Sequence, residues 1–204
     1  MKTQQRPWWA YITTLAIFLA FIGTAYLVDV HDYISDSIML IVIMSLLFWW
    51  YNSLRLTPRI YMALTFAFAL HNAGVFGFYN ISPVGLQWDH VTHFVGEFVA
   101  AIFVYNYFKL GNYFKQKTTA ERWTLYCLIL LSILGFGVFV EFMEFYGYFV
   151  VGDGLGVFGH GLGDINTEFI NSEWFNTMFD FIYNFFGGLC GILYARFVMK
   201  KTSS

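Results

Sequence analysis

The sequence predicts an all-α protein, a polytopic membrane bundle of six transmembrane helices that forms a single domain over residues 1–204. Three observations carry that expectation. Of the residues, 58% are hydrophobic and only 12% charged, where a soluble domain carries roughly 25% charged residues. Six apolar stretches are long enough to cross a hydrocarbon core, which takes about 20 residues at about 1.5 Å rise each. With six crossings, all eleven Lys and Arg residues fall on one side, as the excess of basic residues in cytoplasmic loops requires.

The first span lies at about 8–28; too long for a cleavable signal peptide, it reads as a crossing that is retained. The second, about 35–51, is short and ends on Trp49 and Trp50, which suit the membrane interface. Pro58 breaks the chain and a third span follows at about 59–79, then a turn with Pro83 and Gly85. The fourth, fifth and sixth lie at about 89–110, 122–149 and 175–198. Their helical caps look weak, and no alternating pattern suggests a β-barrel. Cys127 and Cys190 sit in apolar runs and read as buried thiols rather than a disulfide.

Lys2 and Arg6 precede span one, and Arg55 and Arg59 join spans two and three. Lys109, Lys115, Lys117 and Arg122 join four and five; Arg196, Lys200 and Lys201 close the chain. The opposite loops carry Asp29, His31, Asp32, Asp36, Asp153, Asp164, Glu168 and Glu173. This distribution predicts a multi-pass protein of the cell (inner) membrane with both termini cytoplasmic. Membrane lipids are its natural partners, and the thinly spread basic residues argue against nucleic acid. The longest outer segment, 150–174, is rich in glycine between residues 152 and 164 and reads as a flexible lid; His160 within it reads as solvated.

The stretch around which the chain is organised is Trp88–Glu97. As a helix it sets Asp89, His93 and Glu97 on one face at intervals of four. Span five brings Glu141 and Glu144, three apart, and span six brings Asp180 and Asn184, four apart. In the six-span register these groups, with His71 and Asn72 of span three, share one depth in the outer half of the bilayer. Charged groups there cost about 2.5–3.5 kcal/mol each at the midplane, so they face the bundle interior and usually do something. Five carboxylates at one level need protons or cations to neutralise them, and no Lys or Arg reaches that depth. Mixed His and carboxylate ligands suit zinc, manganese or iron, and carboxylates alone suit magnesium or calcium.

The candidate ligands for a divalent metal are therefore Asp89, His93, Glu141 and Asp180, with Glu97 or Glu144 as general base. His71 reads first as a hydrogen-bonded interior histidine. His90 lies off the Asp89–His93–Glu97 face, with lipid headgroups and the polar site as its alternative surroundings; Asn184 completes the polar set. The Gly187-Gly188-x-x-Gly191 run reads as close helix packing.

The strings Asp89-His90-Val91-Thr92-His93-Phe94, Glu141-Phe142-Met143-Glu144 and Asp180-Phe181-Ile182-Tyr183-Asn184-Phe185-Phe186-Gly187 resemble those of the VanZ-like superfamily. There the pattern is Asp-x-x-x-His-Phe, Glu-x-x-Gln and Asp-x-x-x-Asn-x-x-Gly on successive spans. The added spans, the Gly-rich segment and Asn176-Thr177-Met178-Phe179-Asp180 are more similar to the YjdF-like inner-membrane proteins. Glu144 stands where the VanZ-like pattern has an amide, and Asn176 where an Asp is expected. The resemblance implies a membrane protein of unsettled biochemistry, linked in one branch to glycopeptide-antibiotic resistance.

Three functions follow as expectations. The first is an outward-facing, metal-dependent site acting on an envelope lipid or lipid-linked substrate. The alternatives are a proton- or ion-coupled carrier and a non-catalytic envelope protein; whether the chain is an enzyme stays open at this point.

Overall fold

A computed structural model describes residues 5–31, 34–79, 86–151 and 172–198. Every regular element among them is helical: α1 (Trp8–Leu27), α2 (Ile34–Trp49), α3 (Pro58–Ala73) with a π-helical turn (Gly74–Phe78), α4 (Trp88–Leu110), α5 (Thr119–Val151) and α6 (Ser172–Phe197). α1, α4, α5 and α6 are long and apolar enough to cross a membrane, whereas α2 is apolar but only 16 residues long. The Gly-rich segment and its His160 lie outside the described residues.

Two helices begin on side-chain caps stronger than the sequence suggests. Thr57 accepts from the Ile60 amide at 3.3 Å, with Pro58 in the first helical position. Thr118 and Glu121 form a reciprocal capping box: Glu121 accepts from the Thr118 amide at 2.7 Å and Thr118 from the Glu121 amide at 3.3 Å.

α4 is the hub. One apolar core joins α1, α2 and α3 through Phe18, Met44, Phe48, Tyr61 and Leu64, and reaches α4 at Val99. A second joins α4, α5 and α6 through Ala101, Ile129, Ile133 and Ile192. The most extensive interface is between α4 and α6, and its cause is the absence of side chains. A Cβ at Gly187 would overlap the Phe94 carbonyl, and one at Gly191 the Phe98 carbonyl. Gly188 turns instead toward Leu130 and Ile133 of α5. Small residues let the helix backbones approach where no water drives association.

The outward faces are strongly apolar. Leu131 is 64% and Phe142 65% exposed, which a lipid-facing surface tolerates and an aqueous one does not. The two cysteines belong to those faces: both are free thiols, and both are exposed rather than buried. In a membrane bundle an apolar run has two apolar surroundings to choose from, so apolar sequence alone does not imply burial.

Basic side chains tie together the ends at which they sit. Arg6 donates to the Trp49 carbonyl at 2.9 Å, Arg55 to the Tyr107 carbonyl at 3.0 Å, and Arg196 lies over the rings of Trp123 and Tyr126. The start of α1 thus meets the end of α2, the α2–α3 link meets the end of α4, and the end of α6 meets the start of α5.

Candidate metal centre

α4 enters the bundle with its first turn pinned to α3, because the Trp88 indole donates to the Leu70 carbonyl at 2.9 Å. Helical spacing then stacks Asp89, His93 and Glu97 on one inward face, all buried. Across from them stand Glu141 of α5 and Asp180 and Asn184 of α6, also buried.

His93 is where these helices meet. Its Nδ1 lies 3.1 Å from Asn184 Oδ1. An amide oxygen only accepts, so Nδ1 carries the proton and donates. In the neutral ring that leaves a lone pair on Nε2. Nε2 faces Asp89 Oδ1 at 3.5 Å, Glu141 Oε1 at 3.7 Å and Asp180 Oδ1 at 4.0 Å. These separations exceed hydrogen-bond lengths of about 2.7–3.2 Å. They approach the roughly 3.3–3.6 Å between ligand atoms that a tetrahedral ion with bonds of about 2.0–2.2 Å requires. Asp89 Oδ2 and Glu141 Oε1 accept no hydrogen bond among the described residues. The Lys–carboxylate pair Lys117–Glu121 lies away from these carboxylates, about 30 Å down α5 at about 1.5 Å per residue. Buried groups of this kind can hold a metal ion, and two overlapping trios have their donor atoms mutually close: His93, Glu141 and Asp180, and Asp89, His90 and Asp180.

Of the two alternative surroundings of His90, its place in the second trio puts it with the polar site. It is buried, its Nδ1 is 2.9 Å from Asp180 Oδ1, and its ring stacks on Tyr183 at 4.7 Å and 16°. Thr177, which the sequence did not mark as a site residue, donates to Glu141 Oε2 at 3.0 Å and fixes that carboxylate.

Beside His93 lies a cavity of about 90 Å³, room enough for water. His71, Thr92, Glu97, Glu144 and Asn184 line it. Both candidate bases therefore border the space next to the metal-type centre. Glu97 Oε2 and Asn184 Nδ2 have no hydrogen-bond partner among the described residues. Gly137 keeps that space open, since a Cβ there would run into the Asn184 amide and stand 3.2 Å from Glu97 Oε1.

A second polar group backs the far wall. His71 is indeed a hydrogen-bonded interior histidine, with Nε2 3.4 Å from Asp36 Oδ2 and Nδ1 2.9 Å from the Tyr79 hydroxyl. The π-helical turn after α3 makes this possible. It passes through Gly77 at φ +115°, and Gly74 leaves room for the Tyr79 ring. Asp36 is fully buried in the first turn of α2, not in an outer loop. A signal for it was present, because Asp36, Leu40, Met44 and Phe48 recur every four residues on the buried face of α2.

Asp89, His93, Glu141, Asp180 and Asn184 are thus brought together; Glu97, Glu144 and His71 border the adjoining cavity; His90 joins from the side. A family model described as "Predicted membrane protein (DUF2238)" matches residues 7–201. No curated protein and no solved structure matches.

Proposed function

The chain belongs to that family of predicted membrane proteins, and on this premise we propose that it is a divalent-metal-dependent enzyme acting on an envelope lipid or lipid-linked substrate. The observation that carries the reading is the convergence of three buried carboxylates on the Nε2 of one histidine whose other nitrogen is committed to Asn184. A donor hydrogen bond on the far side of the ring is how proteins fix the tautomer of a metal-binding histidine.

Asp89, His93, Glu141 and Asp180 are the ligands in this reading, and zinc, manganese and magnesium the candidate ions. The ion would polarise a phosphoryl or acyl oxygen of the substrate. Glu97 or Glu144, at the cavity, takes the proton of the attacking water, whose oxygen bonds to the reacting centre as the leaving group departs. The short VanZ-like and YjdF-like strings support an envelope role, since the same residues carry the resemblance and the geometry.

The proposed topology is six crossings in the inner membrane with both termini cytoplasmic, so that the centre opens on the outer leaflet, where a headgroup substrate resides. The clustered contacts of Arg6, Arg55 and Arg196 support it, because each holds two helix ends at a common level. Metal analysis of the purified, full-length protein tests the function. Stoichiometric divalent metal that is lowered in Asp89→Ala and in Glu141→Ala is the expected result; metal content that is negligible, or unchanged by both substitutions, refutes the reading.

A further inference from the structure

The two donor trios overlap in a single residue. Asp180 Oδ1 lies 2.9 Å from His90 Nδ1 and 4.0 Å from His93 Nε2, so one carboxylate oxygen stands between two imidazoles. On one side Asp89 completes a set with His90; on the other Glu141 completes a set with His93. Each set also contains a buried carboxylate oxygen without a hydrogen bond among the described residues, Asp89 Oδ2 in the first and Glu141 Oε1 in the second. Both oxygens are desolvated acceptors, which fold at a cost unless something binds them.

We propose that the centre holds two divalent cations rather than one, with Asp180 as the carboxylate common to both, and that it takes a phosphoryl group as its substrate. This rests on the metal-dependent reading above and extends it. Charge is compatible with the count. With neutral imidazoles, Asp89, Glu141 and Asp180 alone carry −3, and the cavity acids Glu97 and Glu144 add to that negative charge, so a second divalent ion lowers the repulsion toward an anionic headgroup further than one ion does. Paired ions about 3.5–4 Å apart clamp the attacking and leaving oxygens of an in-line displacement at phosphorus. Water supplies the new P–O bond, its proton goes to a cavity carboxylate, and the substrate's ester oxygen leaves with the electron pair of the bond that breaks. At 2.9 Å His90 Nδ1 and Asp180 Oδ1 stand at hydrogen-bond distance, so the first ion would take the place of the Nδ1 proton. In the simpler role that hydrogen bond orients Asp180 in a one-metal site, and the two roles differ in stoichiometry.

The experiment loads the full chain in lipid nanodiscs with Mn²⁺ alone, counts bound ions by equilibrium dialysis and records the electron paramagnetic resonance spectrum. Two Mn²⁺ per chain with an exchange-coupled signal are expected. His90→Gln and Asp89→Asn should each bind one ion with an uncoupled six-line signal, as should Glu141→Gln from the other side. Using variants on both sides guards against one that fails to fold, which monodisperse elution and an unchanged melting temperature without metal exclude. One Mn²⁺ in the wild type, retained in His90→Gln, overturns this inference and leaves the one-metal function standing. Two ions without coupling remove the shared carboxylate and overturn it too. Absence of binding removes both readings.

Discussion

Gly187→Ala tests the architecture on which the centre depends. Gly187 lies three residues after Asn184, about 4.5 Å along α6, and its α-carbon faces the backbone of Phe94, the residue after His93. A methyl group there would overlap the Phe94 carbonyl oxygen and press on its carbonyl carbon and Cα. Backbone atoms cannot rotate away as a side-chain tip can, so α4 and α6 must separate. Overpacking of this kind costs about 1–3 kcal/mol. For a chain of 204 residues, at about 2–4 °C per kcal/mol, the melting temperature should fall by about 2–12 °C. Thermal unfolding of the detergent-purified protein, followed by Trp fluorescence, provides the assay. Gly135→Ala is the internal control, since a Cβ there meets nothing within 4 Å; it should be neutral or stabilise by up to about 1 kcal/mol through helix propensity. A Gly187→Ala protein as stable as wild type, or two variants with equal losses, would refute steric contact as the reason for glycine here.

Three further outcomes follow from the site. Asn184→Leu removes the acceptor for His93 Nδ1 and should weaken Mn²⁺ or Zn²⁺ binding about 10–100-fold, read by competition with a chromophoric chelator; affinity within twofold of wild type would contradict the tautomer assignment. Gly137→Ala pushes on the Asn184 amide and fills space beside Glu97, so it should also lower metal affinity, by less than Asn184→Leu. Asp36→Ala strips a buried partner from His71 and should cost about 1–3 kcal/mol in unfolding while leaving metal stoichiometry unchanged, because Asp36 belongs to neither donor trio. A loss of metal in Asp36→Ala would show that the two polar groups act as one.

The site was legible wherever it obeyed a helical period. Asp89, His93 and Glu97 recur every four residues, and the alternation of basic and acidic segments between helices marks which helix ends lie near the acids. What escaped depended on distances between helices, which sequence spacing does not encode. His90 and His93 are three residues apart, about 60° around the helix, and only the close approach of α6 lets Asp180 stand between them. Asp36 stands among loop acids in the sequence, although its four-residue spacing to Leu40 places it inward. Tyr79 reaches His71 through a π-helical turn, a backbone irregularity with no pattern of its own. The capping box at Thr118 is visible in the sequence as Thr-x-x-Glu.

The packing of α6 and its chemistry occupy the same stripe. Asp180, Asn184, Gly187, Gly191 and Ala195 recur at intervals of three and four, so they form one face. The upper two face His90 and His93, and the two glycines meet the Phe94 and Phe98 carbonyls below. The lower part of the face sets how closely α6 approaches α4; the upper part inherits that distance as the separation of Asp180 and Asn184 from the imidazoles. Rotating α6 by one residue, about 100°, would turn the glycines away from α4 and the two polar side chains away from His90 and His93 together. Gly187 and Gly191 therefore help set the geometry of the candidate site although neither bears a reactive atom. Restoring stability to Gly187→Ala by substitutions elsewhere should then fail to restore metal affinity, which separates a geometric requirement from a merely stabilising one.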